Sequence, residues 1–177
     1  MSKFIKGISA LAVILVAAVM LASCEYNFYG DWSKAGAEIE KENIFEVVTV
    51  DSAKAMIEED KTFVLVLGSS NATLAPSTMT TLQDDADYLG FEGKLQFIDC
   101  AEFVNKPADR KMLKEAFGVN DPSKISSDLV VLIYDKGNLL LDTTDAATDD
   151  KLKHFVDGSS VNYSALATYI YTEFNFE

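Results

Sequence analysis

Histidine occurs once in this chain of 177 residues, cysteine twice and proline three times, and lysine and arginine total 15 against 28 aspartates and glutamates. Each scarcity closes off a class of chemistry. The cysteines and the lone histidine show no zinc-site spacing. A serine or cysteine nucleophile needs a base, and the only histidine is His154, in a lysine-flanked amphipathic turn. A net charge of −13 provides no basic stripe to neutralise phosphates, which excludes nucleic acid as a partner. The same balance excludes electrostatic adhesion to anionic lipid. There is no internal repeat, no phosphate-binding loop and no cofactor motif.

Long apolar runs are scarce too; the one present lies near the amino end. Lys3 and Lys6 precede an apolar run from about Ile8 to Leu21, followed by Leu21-Ala22-Ser23-Cys24. The run has signal-peptide length rather than the length of a membrane span. Its last four residues resemble the lipobox of bacterial lipoproteins. That resemblance implies cleavage before Cys24 and diacylglyceryl attachment to its sulfur, a two-chain anchor that holds where a single chain holds only marginally. The alternative is ordinary secretion, with Cys24 free to pair with Cys100. The expected organisation is a leader over 1–23, a lipidated cysteine and tether over 24–43, and a single folded domain over 44–177. Within the tether, Gly30 reads as a break, a short helix is expected from Ser33, and Tyr26, Phe28, Tyr29 and Trp32 read as rings at the membrane boundary or packed on the domain.

The centre of the domain is Thr62 to Leu89. Phe63 to Leu67 is too short and too branched for a helix, and suits a strand covered on both faces. Gly68, Ser69, Ser70, Asn71 and Thr73 are turn and N-cap types, Pro76 fits a first helical turn, and Met79, Leu82, Ala86 and Leu89 recur at helical spacing. Around this unit, Phe45 to Val50 reads as a strand and Asp51 as the cap of a helix. Lys94 to Asp99 reads as a strand ending at Cys100, and Pro107 opens a helix closed by Gly118. Leu129 to Tyr134 and Asn138 to Asp142 flank Asp135-Lys136-Gly137, whose turn chemistry is that of a hairpin. Helices are expected over Asp149 to Val156 and Tyr163 to Phe174. The order βαβαβα, hairpin, helix predicts an α/β fold with a central mixed sheet and helices on both faces.

Over about Phe45 to Val156 this order resembles the thioredoxin family. The residues that carry the likeness are Gly93-Lys94-Leu95 with Phe97-Ile98-Asp99-Cys100, then Phe117-Gly118-Val119, then Tyr134-Asp135-Lys136-Gly137. The resemblance implies a thioredoxin-like three-layer fold. It also shows what is missing. The family's C-x-x-C falls on Ser70-Asn71-Ala72-Thr73, or about Gly68 to Asn71 if the following proline sets the register, and neither register contains sulfur. Where the family has a cis proline, this chain has Ser127, Asp128 and Leu129, and Pro122 stands too early. A thiolate at a helix N-terminus with a resolving partner is thus absent.

Cys100 is expected to be a free, half-buried structural thiol, with single-cysteine exchange or an intermolecular disulfide as the rival readings. Ser70 and Thr73 are expected to be N-caps rather than nucleophiles or an anion site. Asp142, Asp145, Asp149 and Asp150 read as a solvated loop in which Asp149 or Asp150 caps a helix. Calcium is the alternative there, although EF-hand spacing is lacking. Gln83 to Asp87 reads as the wet face of its helix. The function these residues support is a lipid-anchored extracytoplasmic module that binds or assembles an unidentified protein partner. The alternatives are an oxidoreductase acting through Cys100 and a small-ligand or calcium-binding lipoprotein.

Overall fold

The structure is a computed structural model that describes residues 27–145, 150–157 and 160–174. The leader, the lipobox and Cys24 lie outside those residues, as does Asp149. Helix α1 spans Phe28–Lys34, followed by β1 Phe45–Val47, α2 Val50–Glu58, β2 Phe63–Gly68, α3 Ala75–Leu89, β3 Leu95–Asp99 and α4 Pro107–Phe117. A 3-10 turn at Pro122–Ser126 leads into β4 Val130–Asp135 and β5 Asn138–Asp142. After a second such turn, Lys153–Phe155, come the short strands β6 Val156–Asp157 and β7 Ser160–Val161, then α5 Tyr163–Thr172.

The main sheet has the order β1-β3-β2-β4-β5. β1 and β2 run parallel to β3, whereas β4 runs antiparallel to both β2 and β5. Every residue of β2 is buried, as its continuous apolar run requires. Side chains alternate across a strand, so the central strand feeds two cores. Val64 and Val66 meet α1, α3 and α5 through Trp32, Met79, Leu82, Leu166 and Ile170. Phe63, Leu65 and Leu67 meet α2 and α4 through Ala53, Leu113 and Phe117. The expected α/β architecture is therefore what the chain forms: a thioredoxin-like three-layer fold, with a mixed sheet between helices on both faces.

Local signals hold where they are strongest. Pro107 begins α4 and Gly118 ends it in the left-handed region at φ 68°. Lys136 and Gly137 have φ 49° and 73°, the paired positive angles of a tight hairpin turn. At Gly137 a Cβ would also come within 2.6 Å of the Ile57 carbonyl oxygen, so this turn is packed against the end of α2.

Several expectations require correction. The stretch assigned to a tether folds onto the domain: α1 begins at Phe28 rather than Ser33, and Trp32 is fully buried against Phe97, their rings 5.5 Å apart. Gly30 does not break this helix, because its N–H donates to the Asn27 side chain at 3.0 Å. Further along, the Thr80 hydroxyl accepts the Glu38 N–H at 2.8 Å and the Gln83 amide oxygen accepts the Ile44 N–H at 3.1 Å. Gln83 is thus buried rather than on the wet face.

The cap of α2 is Thr49, whose hydroxyl accepts the Ser52 N–H, not Asp51. In place of a helix over 149–156 there is the Lys153–Phe155 turn leading into β6, whose Val156 pairs with Val161 of β7. Hydrogen bonding across that small ribbon outweighs a weak helical pattern.

Candidate functional site

β2 delivers the chain to the end of the sheet at Gly68, and the turn Ser69 to Leu74 carries it into α3. Gly68 is required there by close approach: a Cβ would stand 2.5 Å from a Leu129 methyl and 3.0 Å from the Phe97 ring. The turn is partly organised by Ser69, whose hydroxyl accepts the Asn71 N–H at 3.3 Å. Ala72 is buried, Asn71 and Thr73 are exposed, and Ser70 is half-buried.

α3 starts only at Ala75, and its cap position, Leu74, makes no side-chain capping bond. The expectation that Ser70 and Thr73 cap this helix is therefore wrong. Long-range bonds set its start instead. The Leu74 N–H donates to the Ser127 carbonyl at 2.8 Å, and the Thr78 hydroxyl donates to Asp128 at 2.7 Å.

Facing the turn is the segment where the thioredoxin family has its cis proline. No cis peptide occurs among the described residues. Here Asp128 fixes the bend: one carboxylate oxygen accepts from Thr78 and, at 2.7 Å, from the Leu129 N–H. The Tyr163 hydroxyl at the head of α5 donates to the Leu129 carbonyl at 2.5 Å. Burial raises the Asp128 carboxyl above the usual range, with the Thr78, Leu129 and Tyr163 donors opposing that shift. Burial raises the Tyr163 phenol, and the neighbouring Asp128 charge adds to it. α3, α5 and the bend are thus tied at one point.

Between the turn and the bend lies a cleft of about 500 Å³, with Leu74, Ser127, Asp128, Leu129, Thr143 and Tyr163 among its walls. Leu74 is 53% exposed, unusual for a leucine beside otherwise buried apolar residues. The cleft offers hydroxyls, a carboxylate, the Lys124 amine and backbone groups, but no thiol and no imidazole. His154 lines a different cleft, with Leu140, Phe155 and Tyr169, so a serine–histidine pair with Ser70 is not assembled.

Cys100 follows β3, and its N–H donates to the Gly68 carbonyl at 2.7 Å. Its backbone therefore neighbours the turn, while its side chain belongs to the core beneath α2 and α4 with Val104 and Leu113. It is fully buried rather than half-buried. Loss of solvent, reinforced by the charge of Asp99, pushes its thiol up to about 12, with the Gly68 backbone bond pulling slightly the other way. A thiol so placed holds almost no thiolate at neutral pH.

The acidic loop also departs from expectation. Asp142 is buried, accepting the Asn120 N–H at 2.6 Å, the Thr144 N–H at 2.8 Å and the Thr144 hydroxyl. Its oxygens serve as an internal anchor for the chain after Gly118. Asp150 is exposed and pairs with Lys153. No group of three carboxylate, histidine or cysteine side chains able to hold a metal occurs among the described residues.

Sequence reasoning singled out Ser70 to Thr73 as a degenerate C-x-x-C region, Ser127 to Leu129 as the segment lacking a cis proline and Cys100 as a free thiol. It missed Thr78 and Tyr163, which meet Asp128 from 50 and 35 residues away and carry no local signature of that contact.

Fold and site together define a class: a mixed-sheet α/β scaffold with helices on both faces, whose turn after the second strand carries no sulfur. No protein-family description matches the chain, and no curated protein does. Among solved structures it is similar to the crystal structure of the J-Trx1 fragment of ERdj5, with a TM-score of 0.37 and 15% identity. The match covers 53% of this chain and 40% of that one, so the chain spans well under half of that structure.

Proposed function

We propose that this chain is a lipid-anchored, extracytoplasmic binding or assembly module of the bacterial envelope, built on a scaffold from which thiol–disulfide exchange has been lost. The observation that carries this reading is the placement of sulfur. The turn after β2 exposes Asn71 and Thr73, with Ser70 half-buried and Ala72 buried and no sulfur among them, and the one thiol in the described domain is buried with its pKa pushed to about 12. The lipobox at Leu21 to Cys24 supports the anchor, since two acyl chains suffice for stable attachment. The half-exposed cleft at Leu74 supports binding rather than turnover: it provides an apolar contact and fixed polar groups, without a nucleophile–base pair.

In a dithiol-coupled insulin-reduction assay the protein is expected to give no turnover above the dithiol blank. Robust activity abolished by Cys100→Ser would defeat the proposal and establish the oxidoreductase reading. Intact mass of protein extracted from bacterial membranes tests the anchor: a diacylglyceryl adduct at Cys24 is expected, and an unmodified or bridged Cys24 would remove the lipoprotein part of the reading.

A further inference from the structure

A second surface lies at the same end of the sheet. The loops that leave β1 and β3 at their carboxyl ends, Val48 to Thr49 and Cys100 to Phe103, border two adjoining hollows of about 360 and 500 Å³. Both hollows are lined by Val50, Asp51 and Phe103, so they form one groove. Val47 walls one end and Met112 with Ala116 the other. Crevices outside the carboxyl ends of strands are where open α/β sheets take their ligands. Val47 is 43% exposed on an edge strand that pairs on one side only, with β3.

The charged residues around this apolar floor are predominantly negative. Asp51, Asp99 and Glu115 line it and Lys54 is the cation among them, while Lys111 pairs with Glu115 at 3.5 Å. Glu46 and Glu102 adjoin it in sequence and are exposed. This character selects among occupants. A second copy of a chain carrying −13 would meet like charge, and so would an anionic bilayer. An oppositely charged polypeptide would not.

We propose that this groove docks a basic segment of a partner protein, its apolar side chains seated between Val47, Phe103 and Met112 and its lysines or arginines set against the carboxylate rim. The proposal rests on the binding-module reading and adds a location and a partner chemistry to it. Desolvated apolar anchors supply most of the affinity, and the rim supplies rate and selectivity.

The test is a fluorescence-anisotropy titration of the full chain, held in zwitterionic nanodiscs with empty discs as blank, using a labelled peptide of alternating leucine and lysine. The leucine–glutamate counterpart serves as control. The lysine peptide is expected to bind and the glutamate peptide not to bind. Val47→Asp is the decisive variant, because it adds negative charge while spoiling the apolar floor. It is expected to weaken binding about tenfold or more, and Asp51→Asn to weaken it severalfold and flatten the salt dependence, while Tyr88→Asp, at an exposed position of α3 outside both clefts, leaves it unchanged. Binding by Val47→Asp as tight as the parent's would show bulk charge attraction alone and overturn the groove. Loss of binding in Leu74→Asp with Val47→Asp unaffected would transfer the contact to the cleft, ending this inference while leaving the binding-module reading intact. No binding of the lysine peptide at all would also end it.

Discussion

At the scale of single residues, this chain separates position from reactivity. Cys100 lies one backbone hydrogen bond from the turn where the thioredoxin family does its chemistry, yet its side chain points into the opposite core. A thiol held near 12 exposes too little thiolate for exchange, and burial denies access as well. Native protein at mildly alkaline pH is therefore expected to react with an aromatic disulfide reagent ~10³-fold more slowly than denatured protein, where an ordinary thiol pKa of about 8.5 returns. Comparable rates in the two states would contradict the burial described for Cys100. Asp128 makes the complementary case. Its folded-state pKa is raised, so its contribution to stability is fully present below the unfolded value and is lost as pH rises through the folded one. Asparagine keeps an oxygen to accept from Thr78 and Leu129 without carrying the charge. In urea titrations across the acid range, Asp128→Asn is expected to gain on the parent as pH rises from below the ordinary aspartate value towards neutrality. A stability difference that is flat with pH would mean that burial does not shift this carboxyl.

At the scale of elements, the parts read correctly from sequence are those governed by neighbours in the chain. The apolar run of β2, the Pro107 start and Gly118 end of α4, and the Asp135-Lys136-Gly137 turn each need only a few adjacent residues to be recognised. The misread parts depend on partners far away. α3 starts at Ala75 because Leu74 and Thr78 are held by Ser127 and Asp128, and no pattern within residues 68–76 contains that information. The cap of α2 is ambiguous in the sequence because Thr49 and Asp51 are both competent cap types; the hydroxyl that accepts the Ser52 N–H decides between them. Their substitutions should differ accordingly. Thr49→Ala is expected to cost about 1 kcal/mol in chemical denaturation, whereas Asp51→Ala, which removes only a first-turn charge, should cost about half of that or less. Equal losses would assign the capping role to both residues.

At the scale of the whole molecule, the largest difference from the sequence reading is where the folded body begins. Aromatic residues near an expected lipid anchor read either as interfacial or as packed on the domain, and a glycine between them as a break, so residues 24–43 read as a tether. Phe28 and Trp32 are nevertheless four residues apart on one helix face, and both pack on Phe97 of β3, at 5.1 and 5.5 Å between ring centroids. They close the end of the core that α3 and α5 leave open beside β1, where a three-residue strand provides little cover of its own. This placement fixes the position of α1 relative to the sheet. If α1 is an integral part of the core, Trp32→Ala should cost about 3–5 kcal/mol, the range for truncating a buried large aromatic, and should lower the single cooperative transition of the whole domain. Trp32 is the chain's one tryptophan, so Trp32→Phe, which keeps an apolar ring, followed by circular dichroism in place of fluorescence, should recover most of that loss. A Trp32→Ala variant that melts with the parent would return residues 28–34 to the role of a peripheral tether.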